Sequence, residues 1–227
     1  MSRASRLMDM YQAMLEALGP SGWWPGETAF EVAVGAILTQ NTSWSNVEKA
    51  MANLRAAGLL TPAAMLGISE AELAERIRPA GYYRLKAGRL ANLLRFLRRE
   101  AEKHGQGAAD LEDPDLPMLR GRGVHDLRER LLSVRGIGPE TADSILLYAL
   151  GLPVFVVDAY TARIALRHGL ASEEADYLEL QDVFASALPE DAALFNELHA
   201  LIVRVGHAWC RKREPKCQDC PLAPFLS

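Results

Sequence analysis

The sequence predicts an all-α fold, and three features of its pattern support this prediction. Apolar residues recur every three or four positions through most of the 227 residues, as expected for helices that bury one face. The alternation typical of half-buried strands is nearly absent, and the one β-like run, PVFVV at 153–157, is short and begins with proline. Turn and cap residues such as Gly58 separate the periodic segments. Roughly ten or more helices of ordinary length are therefore expected.

Successive segments justify this prediction in chain order. Polar residues interrupt the apolar pattern of residues 1–20, which indicates an amphipathic helix and not a secretory signal. Single apolar stripes in 28–40 and 45–58 are formed by Phe30, Val34, Ile37 and Leu38 and by Val47, Met51 and Leu54. The same periodicity predicts helices in AELAERI, RLKAGRLANLLRFLRREAEK, GVHDLRERLLSV, ETADSILLYALG, AYTARIALRHG, DYLELQDVFASAL and DAALFNELHALIVRVGHAWC. The Gly-, Asp- and Pro-rich stretch His104–Gly123 is predicted to be a long connection, and 153–157 a buried extended connection.

Composition limits the classes of protein to which the chain can belong. Hydrophobic residues make up 49% and charged residues 24%, which is ordinary for a soluble globular protein, and no apolar run reaches membrane-spanning length. Because the net charge is −4, any contact with nucleic acid must use local patches. Three basic clusters are formed by Arg84, Lys86, Arg89, Arg95, Arg98 and Arg99, by Arg120, Arg122, Arg128, Arg130 and Arg135, and by Arg211, Lys212, Arg213 and Lys216. Each cluster could equally be a solvated helix face.

The stretch VRGIGPETAD at 134–143 predicts a tight turn between two helices. Gly136 and Gly138 turn the chain, and Pro139 suits the first position of the next helix. Unpaired main-chain N–H groups at such a helix start can bind a phosphate, which glycine allows to approach closely. A plain interhelical turn remains the alternative.

Asp158 follows four apolar residues and precedes a predicted helix. Aspartate is a preferred N-cap, so a capping role explains this position. A carboxylate held beside a reacting centre is the other interpretation. The two roles are compatible, because a capping aspartate is rigidly placed and can still direct one oxygen to a substrate.

Three cysteines, Cys210, Cys217 and Cys220, lie within eleven residues near the C-terminus. An odd, clustered number argues against a disulfide framework in a chain expected to be cytosolic.

Together these pieces resemble the helix–hairpin–helix (HhH-GPD) DNA glycosylase superfamily, in its endonuclease III-like branch. The resemblance covers nearly the whole chain: the hairpin, the loop GLPVFVVD ending at Asp158, the segment AILTQNTSW and the cysteine order. It implies a two-lobed all-α fold with a DNA cleft between the lobes. The central helical lobe would span 28–133. The second lobe would comprise 1–27 and 134–227, with the hairpin near 127–150 and the cysteine loop at 210–220.

The resemblance also implies roles in DNA binding. Gln40 would fill the gap left by the flipped nucleotide, assisted by Asn41, although a surface position at a helix end would also explain Gln40. Phosphate contacts would come from Gly136, Gly138, Thr141, Arg211 and Lys212.

Glu140 occupies the position at which bifunctional members of the family carry a lysine that attacks the sugar. Glutamate cannot form the imine that leads to strand cleavage. The resemblance therefore implies a monofunctional glycosylase, in which Asp158 stabilises the oxocarbenium ion or activates a water. Glu140, an acid in a helix's first turn, is interpreted as a bystander.

The aromatic residues narrow the expected substrate. GWWPGE and LTQNTSW resemble the 3-methyladenine DNA glycosylases of this branch, which implies a base pocket of Trp23, Trp24, Pro25 and Trp44. Electron-rich rings suit a cationic N-alkylated purine, which also leaves easily. A core position or a lid is the alternative for these tryptophans.

A [4Fe–4S] cluster is implied for family members with four cysteines spaced C-x6-C-x2-C-x5-C. The fourth position here is Leu226, so Ser227, the terminal carboxylate or water would have to complete the site, or His207 would have to complete a zinc site. A lost cluster is the alternative. The retained spacing favours a bound cluster whose structural role is to present the basic loop to phosphate.

The expected function is a monofunctional DNA glycosylase of base excision repair that acts on alkylated purines. Its partner would be double-stranded DNA with damaged bases, and we expect a cytoplasmic, nucleoid-associated monomer. The alternatives are a glycosylase for oxidised or mismatched bases and a non-catalytic helix–hairpin–helix DNA-binding protein. A redox-sensing iron–sulfur protein is disfavoured by the missing fourth cysteine.

Overall fold

The computed structural model describes residues 2–23, 26–105 and 107–226. Helices dominate these ranges, and they contain no strand, which confirms the all-α prediction. None of the helices in the described ranges combines the length and the apolar character needed to cross a membrane. The chain divides into two compact units, a smaller one of Met1–Trp23 with Gly151–Ser227 and a larger one of Trp24–Leu150.

The larger unit is built around α2 and α6. Nine of the ten residues of α2 are buried, because this helix is apolar on every face. The helices are α2 Ala29–Leu38, α3 Trp44–Ala56, α4 Pro62–Leu66, α5 Glu70–Arg76, α6 Tyr83–His104, α7 Ala108–Glu112, α8 Val124–Leu132 and α9 Pro139–Ser144. A π-helical turn, Ile145–Ala149, continues α9, and 3₁₀ turns occupy Arg78–Ala80 and Pro117–Leu119.

The smaller unit is built around one long helix. Its helices are α1 Arg3–Leu18, α10 Ala159–Arg167, α11 Tyr177–Ala185 and α12 Ala192–Ala208, and 3₁₀ turns occupy Cys217–Asp219 and Ala223–Phe225. Both α1 and α10 pack against α12. The buried residues of α12 are apolar except His199, and they include Leu198, Leu201 and Val205.

The stretch 153–157 is a buried extended connection, as predicted. The Phe155 ring stacks on Phe184 at 4.4 Å between centroids and meets Phe195 edge-on at 5.4 Å. Side chains of α11 bond to its main chain: Gln181 Nε2 donates to Phe155 O at 2.6 Å, and Val157 N donates to the Tyr177 hydroxyl at 3.4 Å. These bonds let an extended segment lie in a core without a sheet partner.

The division differs from the predicted lobes at both boundaries. The structure places the boundaries at Trp23/Trp24 and Leu150/Gly151, so that the hairpin, α8 and α9, belongs to the larger unit and not to the second lobe. The physical reason is the packing of α9 and the π-helical turn against α2. An apolar stripe predicts that a helix is buried, but not against which neighbour.

The stretch 104–123 is more ordered than predicted. It contains α7 and the 3₁₀ turn Pro117–Leu119, and the side chains of Leu116, Met118 and Leu119 are buried. These apolar residues anchor the segment to α6, a contact that its Gly, Asp and Pro content does not reveal.

Candidate functional site

A buried ion pair holds the two helices of the hairpin together. Arg128 on α8 bonds to Asp143 on α9 through two parallel contacts, Nε–Oδ1 at 2.7 Å and Nη2–Oδ2 at 3.0 Å. The Asp143 side chain is fully buried, so this two-fold contact is a charge-assisted pair that lies largely out of water. The hairpin is therefore a rigid element.

The two glycines of the turn serve different purposes. Gly136 has φ +98°, and a Cβ placed there would lie 2.5 Å from Arg89 Cγ. Its missing side chain is thus required by the backbone and by the packing of Arg89. Gly138 has the ordinary conformation φ −97°, ψ −179°, and a Cβ there would have no atom within 4 Å. Open space therefore lies beside Gly138 at the N-terminus of α9.

Gln40 is half-buried, and its side chain hydrogen-bonds to the hairpin. Its Nε2 donates to Gly136 O at 3.1 Å and to Thr141 Oγ1 at 2.8 Å, and its Oε1 accepts from Arg89 Nη1. The neighbouring Asn41 is exposed and has φ +53°. The structure thus assigns the exposed tip of this turn to Asn41.

The other hairpin residues differ in exposure. Thr141 is 6% exposed, and its hydroxyl is the acceptor of the Gln40 bond, so this side chain is part of the hairpin's packing. Glu140 is exposed in the first turn of α9. There its charge is favourable to the helix dipole, in agreement with the interpretation as a bystander.

The second predicted basic cluster is partly used in ion pairs inside the larger unit. Buried Glu100 pairs with Lys103, Arg122 and Arg130 at 2.8 to 3.3 Å, and Arg128 pairs with Asp143. The ion pairs explain why a run of arginines does not have to form a free basic surface.

An exposed aromatic turn precedes α6, and sequence reasoning missed it. Tyr82 is 72% exposed with φ +45°, and Arg78 and Arg84 each lie 5.7 Å from the Tyr83 ring centroid. A positive φ at a tyrosine is strained, and such strain clusters at functional turns. The signal in the sequence was the pair YY directly after a glycine, Gly81.

In the smaller unit, Asp158 is the N-cap of α10. Its Oδ1 accepts a hydrogen bond from Thr161 N at 2.7 Å, and its side chain is 17% exposed. The buried stretch 153–157 precedes Asp158 and α10 follows it, so ordered main chain on both sides fixes the position of the carboxylate. The capping prediction is confirmed, and the position leaves the carboxylate accessible.

His199 on α12 lies beside Asp158 and was not anticipated from the sequence. Its Nε2 is 3.8 Å from Asp158 Oδ1. Burial lowers the pKa of the His199 imidazole, and the Asp158 carboxylate acts in the opposite direction. The net direction is downward, so a neutral imidazole stands beside the carboxylate at neutral pH.

A close helix contact fixes α10 against α12. A Cβ on Gly206 would lie 2.4 Å from Tyr160 Cδ1, so only glycine lets the Tyr160 ring pack there. Arg163 covers the same ring at 5.0 Å. This contact sets the distance between the start of α10 and His199.

The predicted pocket aromatics are only partly described. Trp24 and Pro25 lie outside the described residues. Trp44 begins α3 and is 40% exposed, which is unusual for a core tryptophan. Trp23 is half-buried, and α12 holds the segment before it, because Glu197 accepts from Ser21 N and Ser21 Oγ at 2.6 Å each.

The cysteine loop does not fit a four-thiolate centre. The three cysteines are free thiols, and together with Leu226 at the fourth position they line a cavity of about 10 Å³. That volume suits one water. In the described part of the chain, no group of three or more His, Cys, Asp or Glu residues is arranged to hold a metal ion. The predicted cluster is therefore not supported by this set of donors.

Arginines hold the C-terminal loop in the absence of a fourth thiol. Arg6 donates to His168 O and Phe225 O at 2.8 Å each, and Arg163 Nε donates to Cys210 O at 2.6 Å. Arg211 and Lys212 are exposed in the loop that follows α12. They are therefore accessible to a phosphate.

Known proteins resemble this chain in sequence. The profile of the HhH-GPD superfamily of base excision DNA repair proteins matches residues 34–190. A Methanocaldococcus jannaschii protein, provisionally named a DNA repair glycosylase, is 46% identical over 216 residues, which cover 95% of this chain and 93% of that protein. Endonuclease III of Thermotoga maritima is 29% identical over 191 residues, which cover 84% of this chain and 79% of that enzyme.

Solved structures share its fold. The 3-methyladenine DNA glycosylase of H. pylori, solved with 1,N6-ethenoadenine, is 30% identical, with a TM-score of 0.68 over 91% of this chain and 98% of that chain. A trapped endonuclease III–DNA covalent intermediate aligns with a TM-score of 0.79 and 22% identity over 100% and 96% of the two chains. Because the superfamily profile covers most of the sequence and the fold agrees, the chain belongs to the HhH-GPD superfamily of base excision DNA repair proteins.

Proposed function

We propose that this chain is a monofunctional DNA glycosylase that hydrolyses the N-glycosidic bond of alkylated purines, such as 3-methyladenine, in flipped-out nucleotides. Glycosylase activity is the function that membership of the superfamily supports. The observation that carries the mechanism is Asp158, a capping carboxylate that stays accessible beside a neutral histidine.

In the proposed reaction, Asp158 acts electrostatically. The hydrogen bond from Thr161 N is to Oδ1, and His199 Nε2 also lies nearest to Oδ1, so among the described residues we assign Oδ2 to the substrate. As the bond between the base and C1′ breaks, its electron pair leaves with the cationic purine, which becomes a neutral free base. The carboxylate stabilises the oxocarbenium ion that remains, and a water adds to C1′ and loses a proton. No step uses the cysteine loop.

The DNA interface would consist of exposed turns. Gly138 offers the N-terminus of α9 to a phosphate, and Arg211 and Lys212 provide positive charge. Asn41 and Tyr82 are exposed tips with positive φ, and we propose that they contact the distorted duplex at the flipped nucleotide. Gln40 would stabilise the turn that carries Asn41 through its hydrogen bonds to the hairpin.

Two observations support an alkylated purine as the substrate. Trp44 presents a partly exposed indole, and a cationic base stacks well on such a face. The H. pylori 3-methyladenine glycosylase is 30% identical over 91% of this chain. An oxidised or mismatched base is the competing substrate, because endonuclease III of T. maritima is a relative too.

Mass spectrometry of bases released from alkylated DNA tests the substrate. We expect free 3-methyladenine, and we expect Trp44→Ala to lower its release about tenfold because a cation–π contact is lost. Binding to undamaged duplex should change little. Leu178→Ala removes another exposed apolar side chain, 55% exposed on α11, and serves as the control. Equal losses on damaged and undamaged DNA, or release of oxidised pyrimidines alone, would contradict the proposed substrate.

Borohydride trapping tests the monofunctional assignment. The hairpin offers a carboxylate at Glu140, and the buried Lys86 is 1% exposed, so we expect little covalent adduct and an intact strand at neutral pH. Glu140→Lys should gain some trapping and nicking. The gain is limited by the unshifted pKa of a new, exposed lysine. Glu129→Lys adds a lysine on the adjacent helix as the control, and strong trapping by the parent protein would show that the chain is a lyase.

A further inference from the structure

Lys86 is a buried cation with two main-chain partners. It lies on α6 and is 1% exposed, although the sequence places it in a basic cluster. Its Nζ donates to Leu38 O at 2.7 Å and to Ala80 O at 2.8 Å. Burial, followed by the nearby Arg89, lowers its pKa to about 8. Two uncharged carbonyls compensate only part of the free energy lost when an ammonium group is buried. If position 86 served only to fill the core, an apolar side chain would stabilise the fold better.

The two carbonyls belong to the ends of different elements. Leu38 is the last residue of α2, and Ala80 is the last residue of the 3₁₀ turn before α6. Carbonyls at such ends carry partial negative charge and attract a cation. Lys86 Nζ therefore links the last residue before segment 39–43 to the last residue before segment 81–82.

Each of these segments carries an exposed residue in the left-handed conformation. The first, 39–43, carries Asn41 at φ +53°, and the second, 81–82, carries Tyr82 at φ +45°. Asparagine adopts this conformation readily, whereas a tyrosine is strained there, so the surroundings must impose it on Tyr82. Lys86 bonds to the residue that precedes each turn.

The next turn of α6 extends this arrangement to the hairpin. Arg89, three residues after Lys86, donates to Gln40 and packs its aliphatic part on Gly136. Gln40 in turn donates to Gly136 O. One side of α6 thus connects the turn 39–43, the turn 81–82 and the hairpin turn.

We propose that Lys86 is a positioning residue of the DNA-bound enzyme, which holds the turns 39–43 and 81–82 at the separation needed to engage the duplex at the flipped nucleotide. This inference rests on the proposed function for its DNA substrate. It concerns the opening of the duplex and not the breaking of the glycosidic bond.

The test separates positioning from stability and from chemistry. A 2-aminopurine opposite a tetrahydrofuran abasic site reports local opening of the duplex on binding. We expect the parent protein to raise its fluorescence, and Lys86→Met to lose most of this increase. The Kd for undamaged duplex should change by less than about threefold, since phosphate contacts are retained. On alkylated DNA, kcat should fall about tenfold to a hundredfold while KM changes little, because a misplaced group loses alignment and not affinity.

A double-mutant cycle tests whether Lys86 acts on the duplex through the turn that carries Tyr82. Tyr82→Ala should reduce the fluorescence increase in the parent but have little further effect in Lys86→Met, since both changes disable one turn. Lys103→Met removes a 57% exposed lysine of the same helix and should match the parent. If Lys86→Met does not fold, Lys86→Gln, which keeps a hydrogen-bond donor on a shorter side chain, takes its place in the cycle and should lose part of the fluorescence increase.

Several results would overturn the inference. They are an unchanged fluorescence increase in Lys86→Met or Tyr82→Ala, additive effects in the double variant, and a parent that binds the duplex without raising the fluorescence. The fluorescence is measured on a duplex that contains no alkylated base. A parent that opens the duplex but releases no alkylated base would therefore refute the proposed substrate and leave Lys86 supported.

Discussion

Replacement of Asp158 by asparagine is expected to lower base release by about a hundredfold or more, because it removes the negative charge that stabilises the oxocarbenium ion. Single-turnover excision on alkylated duplex measures the effect. The free energy of unfolding should stay close to that of the parent. Asparagine caps a helix about as well as aspartate, and its oxygen can still accept from Thr161 N.

Asp176→Asn is the matched control for this variant. Asp176 is the N-cap of α11 and accepts a hydrogen bond from Glu179 N at 2.9 Å, so the same chemical change is made at a second cap of the same unit. Excision by Asp176→Asn should equal that of the parent. An Asp158→Asn protein that excises at the parent rate would reduce Asp158 to a cap and remove the proposed mechanism.

Exchange of the hairpin glycines for alanine is expected to give opposite outcomes. Gly136→Ala should lower the free energy of unfolding by about 2 to 4 kcal/mol, since it combines a left-handed alanine with a collision against Arg89. Gly138→Ala should leave that free energy almost unchanged, because its backbone conformation suits alanine and the space beside it is open. Urea unfolding measures both.

The affinity for DNA should respond to Gly138→Ala, the variant that keeps its stability. In Gly138→Ala, the new methyl group stands where a phosphate would approach the start of α9, and we expect the Kd for duplex to rise about tenfold in a fully folded protein. Arg89→Ala in the Gly136→Ala background should recover part of the lost stability by removing the colliding side chain. Parent-like affinity in Gly138→Ala would place the phosphate elsewhere.

Local patterns were sufficient for much of the fold and for the capping residue of the site. Helical periodicity located α2, α3, α6 and α12, because each buries a continuous apolar face. The cap at Asp158 was also visible, since a cap depends on residues within one turn of itself. The connection 104–123 was misjudged because its few apolar residues are buried against α6, a contact that its Gly, Asp and Pro content does not indicate.

The candidate site contains contacts that local sequence patterns do not predict. Gln40 and Thr141 carry the side chains expected at a DNA surface, yet they bond to each other over 101 residues of chain. Lys86 belongs to a run of basic residues, yet it is buried under two helix ends. His199 gave no signal beyond its position in an apolar helix, and only the packing of α10 on α12 brings it to Asp158.

The sequence by itself determined the all-α class, the hairpin turn, the cap at Asp158, the glutamate in place of a lysine and the missing fourth cysteine. These features depend on residue identity and on neighbours within a few positions of the chain. The tertiary structure alone decided which unit holds the hairpin, which glycine of the turn has open space beside it, that Asn41 is exposed with a positive φ, and which groups stand beside Asp158 and Lys86. The physical reason is that these contacts join residues far apart in the chain, and such contacts exist only after helices have packed.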